Sequence, residues 1–161
     1  MSGPTVVEQS RAIPVEVDEA FAFTLPAPLT TLFNRRYLLL PPIAEVRDQS
    51  GPWDAVGRTR VVATADGGTM REQLVAVDPP HSFGYLLGEL TGPMRPLVDH
   101  IEGSWEFSSI GTGTLVTWRW TLYPTRAGAV VLPVIARMWL GYARMALERL
   151  SDLLLGVESP G

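Results

Sequence analysis

The sequence contains no cysteine. Disulfides, thiolate nucleophiles and cysteine-ligated metals are excluded by that alone. It contains no lysine either, because all 13 basic residues are arginine. Schiff-base chemistry and a lysine general base are therefore removed. There are only two histidines, His81 and His100, and they stand too far apart for metal-ligand spacing. No metal site is expected. The chain also lacks a nucleophile elbow, a phosphate-cradling glycine loop and a dinucleotide fingerprint, so no cofactor is expected.

Charge is scarce as well. Charged residues make up 19% of the chain, below the roughly 25% usual in soluble domains. The net charge is −4 and no basic stripe is present, so nucleic acid is a poor partner. An anionic membrane surface has little to attract. The longest apolar-rich stretch, 127–156, is interrupted by Arg137, Arg144, Glu148, Arg149 and Asp152. It is a poor membrane span. Met1–Ser10 has neither an apolar run nor a basic lead, so a targeting segment is not expected and a cytoplasmic location is.

What is present is apolar. Hydrophobic residues are 46% of 161, enough to bury a core in one domain, placed here at residues 5–156. The ends, Met1–Pro4 and Glu158–Gly161, read as frayed.

Thr5–Ala12 alternates and predicts a strand stopped by Pro14. Asp18 offers an N-cap for a short helix with Ala20, Phe21 and Phe23. Pro26 and Pro28 break it, and Pro28–Phe33 predicts a second short helix. Strands follow at Ile43–Gln49, Gly57–Ala65, Thr69–Asp78 and Ser82–Thr91, separated by Ser50-Gly51-Pro52, Asp66-Gly67-Gly68 and Pro79-Pro80. Gly92–Asp99 reads as a loop, with Met94 and Leu97 placed to form a lid.

The clearest pattern is the last hairpin. Ile101, Gly103, Trp105 and Phe107 alternate with Glu102, Ser104, Glu106 and Ser108. After Gly111-Thr112-Gly113, Val116, Trp118, Trp120 and Leu122 alternate with Thr117, Arg119 and Thr121. One face is apolar and the other polar, as in an antiparallel sheet covered on one side. The cover is the last segment. Val131, Ile135, Met138, Tyr142, Met145, Leu150 and Leu153 recur near helical spacing over about Val131–Leu154. Pro133 suits a first turn and would kink an interior one. Runs of strands followed by a segregated helix predict an α+β fold.

Several segments in this order resemble the START-like, Bet v 1-like superfamily, and within it the polyketide cyclase/dehydrase-like branch of SRPBCC proteins. They are Val56-Gly57 and Arg60 before the Asp66-Gly67-Gly68 turn, then Glu72, Val77-Asp78-Pro79-Pro80, and Phe83 with Tyr85. Gly113-Thr114-Leu115-Val116-Thr117-Trp118 leads to Tyr123-Pro124 and the terminal helix. The resemblance runs from about Val6 to Leu154. It implies a helix-grip fold: a curved antiparallel sheet of about seven strands around the long C-terminal helix, with two short helices after the first strand. It further implies a cavity for a small hydrophobic molecule such as a lipid, polyketide or aromatic metabolite. Many members of such families bind without catalysing, so fold alone leaves function open.

Three constellations are candidates. Trp105, Trp118 and Trp120 share the covered face by parity, with Trp139 and Tyr142 on or beside the helix stripe. With Tyr85 and Met138 they are the expected ligand-binding set, although plain core packing uses the same residue types. Arg60 and Glu72 should pair directly across the Asp66–Gly68 turn. An exposed cross-strand ion pair is the expected arrangement, and a pair inside the cavity is the alternative. His100, near Asp99 and Glu102, falls on the polar face and away from the pocket. Glu72 or His100 as base, with Arg60 or Tyr85 polarising a carbonyl, are the candidate catalytic groups if the protein is a cyclase or dehydratase. Arg35, Arg36 and Tyr37 lie near a cavity mouth in similar proteins, where a surface role is expected. A homodimer through a sheet edge stays open, and so does a wider protein-interaction role.

Overall fold

The computed structural model describes residues 3–156. Of the segments read as frayed, Met1, Ser2 and Glu158–Gly161 lie outside the described residues. Seven strands form one antiparallel sheet: β1 (Thr5–Ile13), β2 (Ile43–Arg47), β3 (Thr59–Thr64), β4 (Thr69–Asp78), β5 (Ser82–Gly88), β6 (Val98–Ile110) and β7 (Gly113–Pro124). Their order across the sheet is β1-β7-β6-β5-β4-β3-β2. From β2 onward every neighbour is the next strand in sequence. Only the step from β1 to β2 crosses the molecule, and the two short helices α1 (Val17–Thr24) and α2 (Leu29–Leu32) fill it. The long helix α3 (Leu132–Leu155) packs against β1 and across the concave face. This is the helix-grip architecture.

Local chemistry explains the boundaries. Pro133 sits in the first turn of α3, where its missing N–H costs nothing, so it introduces no interior break. Gly156 closes the helix in the left-handed region at φ 70°, its N–H directed to the carbonyls of Asp152 and Leu153. At 24 residues the helix is about 36 Å long, enough to span the sheet. Irregular pairing between Leu74 and Ala76 in β4, and between Val98 and His100 in β6, bends the ladder.

Some expectations shift. Helix α1 begins one residue before Asp18, with Glu16 at its cap, so Asp18 stands in the first turn, where its charge favours the helix end. Phe23 is exposed, and Thr24 takes the buried place instead. Gly92–Asp99 is not all loop: Gly92–Met94 forms a 3-10 turn and β6 already starts at Val98. On α3 the buried stripe runs through Leu132, Ile135, Trp139, Tyr142, Ala143, Ala146, Leu147 and Leu150. Val131 is the exposed cap residue before the helix and Met138 lies on the flank of the stripe, so the covered face is centred on Trp139, not on Met138.

Candidate functional site

The concave face of the sheet is lined strand by strand with inward side chains. In β6 and β7 these are Ile101, Trp105, Phe107, Val116, Trp118 and Leu122, all buried. Trp120 is in phase with them and half-buried. The apolar half of the alternation read from sequence therefore holds, with Trp105 paired to Trp118 and their rings stacked at 5.3 Å. Thr117, expected to face water, is instead buried, with its hydroxyl 2.8 Å from that of Ser10 on β1. Trp139 from α3 meets Trp118 at 4.8 Å and Trp120 at 5.8 Å. Phe33, at the end of α2, stacks on Tyr142 at 5.8 Å and tilts against Trp118 at 5.0 Å. Each such pair adds about 0.5–1.5 kcal/mol beyond simple burial.

Tyr85 organises this cluster. Its ring crosses β6 at the partner position, Gly103. A Cβ there would sit 2.1 Å from Tyr85 Cζ, so glycine is required for the ring to pass. The ring thereby brings its hydroxyl to Trp118 and Trp120, whose indole Nε1 atoms both donate to it, at 2.7 and 2.9 Å. Burial, with Glu72 nearby, pushes the Tyr85 phenol above its ordinary range. The hydroxyl stays protonated.

Arg60 and Glu72 pair in register, and their side chains meet at 2.7 Å. The expected exposed pair is not what forms. The two side chains are 6% and 5% exposed, and both line the cavity. The reason is parity. Glu72 is in phase with Met70 and Leu74, and Arg60 with Val62, so the fold that turns these apolar residues inward turns the ion pair inward too. Trp53, buried in the loop between β2 and β3, lies under the guanidinium, with Arg60 Cζ 3.8 Å from its ring centroid. The ring partly replaces the lost hydration of the cation. Desolvation pushes Glu72 above the usual carboxylate range, and the adjacent Arg60 works against that rise.

Between these walls lies a cavity of about 120 Å³. Trp105, Trp118, Trp120, Tyr85, Trp139 and Tyr142 all contribute to its lining, while Met138 does not. At one end it reaches Asp66, Thr91, Pro93 and Met94, beside the β3–β4 turn. Met94 thus meets the cavity, whereas Leu97 packs on the core. A second cleft of about 300 Å³ lies between α2 and α3, bounded by Arg35, Glu148, Arg149 and Asp152. Phe33 and Tyr142 are common to both hollows.

His100 lies outside this arrangement. Its Nδ1 is 2.6 Å from Asp99 and its ring stacks on Tyr123 at 4.2 Å, at the outer face. Tyr37 packs against α3 at Gly141, where a Cβ would meet its ring at 2.1 Å, while Arg35 and Arg36 are exposed. Among the described residues no cluster of three potential metal ligands occurs, and no helix is long and apolar enough to cross a membrane. Sequence reasoning missed Trp53, Phe33 and Thr24. Trp53 sits in a turn-like segment with no periodicity around it, so only its size and aromaticity could have drawn notice.

Residues 4–154 match the family described as polyketide cyclase / dehydrase and lipid transport. The chain belongs to that family. No curated protein sequence matches it. Among solved structures, norcoclaurine synthase from Thalictrum flavum, in complex with dopamine and hydroxybenzaldehyde, superposes with a TM-score of 0.71. It is 16% identical, covering 98% of this chain and 90% of that one. Major latex-like protein 151 from Panax ginseng superposes at 0.67, with 16% identity, 94% of this chain and 98% of that one. This member of the polyketide cyclase / dehydrase and lipid transport family therefore has the Bet v 1-like helix-grip fold of the SRPBCC proteins.

Proposed function

We propose that this protein binds a small hydrophobic or amphipathic ligand, of the lipid, polyketide or aromatic-metabolite kind, in the cavity between sheet and α3. The observation that carries the reading is a hollow walled by Trp105, Trp118, Trp120, Trp139 and Tyr142, with few polar groups converging on it. Its size sets the scale. At about 120 Å³ it is below the roughly 300–1,000 Å³ that drug-sized ligands occupy, and near the ~150 Å³ of a cavity known to take benzene. A molecule of one ring is the scale that the walls admit as they stand. A second ring or a longer acyl chain requires ring movement, and the Phe33–Tyr142 pair, shared with the second cleft, is the wall to displace. Residues 5–156 act as one binding unit in the cytoplasm, without a cofactor. Titrating tryptophan fluorescence with fatty acids, sterols and aromatic polyketides tests this. Quenching or a raised melting temperature supports it, and silence from every compound overturns it.

A second reading, cyclase or dehydratase chemistry, is favoured by one observation: a carboxylate, Glu72, lies inside the hollow near the Tyr85 hydroxyl. In that reading Glu72 removes a proton next to a carbonyl, and Tyr85 stabilises the enolate oxygen. Arg60 is a positioning residue that holds Glu72. His100 has no part, because it faces away. Proton–deuterium exchange at the α-carbon of a bound cyclic ketone tests the step. Exchange lost in Glu72→Gln with binding retained supports it; no exchange with the native protein removes it.

A further inference from the structure

Two polar groups around the cavity have no partner among the described residues, and a third keeps one unused hydrogen. Trp139 is 1% exposed, and its indole Nε1 has no hydrogen-bond partner among the described residues. Thr24 is 4% exposed, and its Oγ1 has none. The Tyr85 hydroxyl accepts from two indoles, and its own hydrogen has no acceptor among the described residues. All three residues line the same hollow.

Buried polar atoms are paired in the great majority of cases, and each orphan is costly. An indole N–H can only donate. A phenol that already accepts twice is left to donate. The Thr24 hydroxyl can do either. The unmet demand is therefore for acceptors. A pure hydrocarbon leaves the Trp139, Thr24 and Tyr85 hydrogens all without an acceptor. A carboxylate supplies acceptors but brings a second negative charge beside Glu72. Arg60, whose Nε meets Glu72 at 2.7 Å, balances one carboxylate, so a second leaves the group with a net negative charge away from water.

We infer that the preferred occupant is a neutral one- or two-ring compound bearing oxygen acceptors of the ketone, quinone or lactone class, which take the hydrogens of Trp139, Tyr85 and Thr24. This rests on the ligand-binding reading and narrows it. The partition is by chemistry: neutral carbonyl compounds first, hydrocarbons of equal shape second, carboxylates last.

Three probes of similar size separate these classes: 1-tetralone, tetralin and 1-naphthoate, with dissociation constants measured by calorimetry and tryptophan quenching. The expected result is 1-tetralone binding roughly tenfold tighter than tetralin, with 1-naphthoate weakest. Trp139→Phe and, separately, Thr24→Val each narrow the tetralone-to-tetralin ratio severalfold; the ratio is the readout because either change reshapes the wall for both probes alike. Thr24→Val is close to isosteric and keeps the test available if Trp139→Phe fails to melt cooperatively. Tetralin binding as tightly as 1-tetralone, or 1-naphthoate binding tighter than both, overturns the inference and leaves cavity binding intact. If none of the three probes binds and the fatty acids, sterols and polyketides are silent too, both readings fall.

Discussion

Arg60 and Arg119 each hold a carboxylate at 2.7 Å, on opposite faces of the same sheet. Arg119 lies on the convex face, bridging Glu106 on β6 and Glu8 on β1, with side chains a third to a half exposed. Arg60 lies on the concave face with Glu72, and both are sealed from water. Equal geometry does not mean equal energetics. Outside, water solvates each charge whether or not the pair forms, so the contact contributes little. Inside, each charge depends on the other, and the pair's net worth against a hydrophobic replacement is small although breaking it is severe. Stability by itself therefore does not account for an ion pair buried beside the cavity.

The sharpest way to break the comparison is to strand one inner charge. Glu72→Ala leaves Arg60 buried and unpaired, and should cost about 3–5 kcal/mol in urea unfolding. The double change Arg60→Met with Glu72→Leu should recover most of that loss. If the double variant stays as unstable as Glu72→Ala, the inner pair contributes net stability after all.

Next in size is Gly103→Ala, on the same concave face but without charge. The new methyl meets the Tyr85 ring, so a loss of about 1–3 kcal/mol is expected. The tryptophan emission should change as Trp118 and Trp120 lose their shared acceptor. An unaltered spectrum would mean that Tyr85 is not held by that contact.

The pH dependence sharpens the contrast further. Burial raises Glu72 in the folded state, so the native protein holds that proton longer than the unfolded chain does. Its contribution to stability therefore falls as pH climbs from the ordinary carboxylate range through the raised folded value. Denaturant midpoints measured across that range should show this decline in the native protein and a flatter profile in Glu72→Gln.

The smallest effect belongs to the outer face. Arg119→Ala should cost less than about 1 kcal/mol and lose even that at high salt. A larger, salt-independent loss would show that the convex network is not screened by solvent.

The two faces were not equally legible. Arg119 could be placed because its neighbours in β7, Trp118 and Trp120, define an unmistakable alternation. Arg60 precedes Val61-Val62-Ala63, where both faces are apolar and parity points nowhere. In β4 the phase of Met70, Glu72 and Leu74 did carry the signal, but Val75 and Ala76 beyond it blur the pattern at the bulge. Tyr85 was visible as an aromatic candidate. That it crosses Gly103 to join two indoles was not, because it requires the β5–β6 register. Trp53 and Thr24 lie in a loop and a short helix, where period carries little information.

By itself the sequence determined the succession of elements, the two-faced β6–β7 hairpin and the amphipathic terminal helix, since alternation and helical period are local properties of the chain. Tertiary structure decided which way β3 and β4 turn their charges, which groups around the hollow are satisfied and which are left waiting. Those outcomes depend on pairing between residues distant in sequence. A period of two tells which side chains share a face, and only packing tells which face is dry.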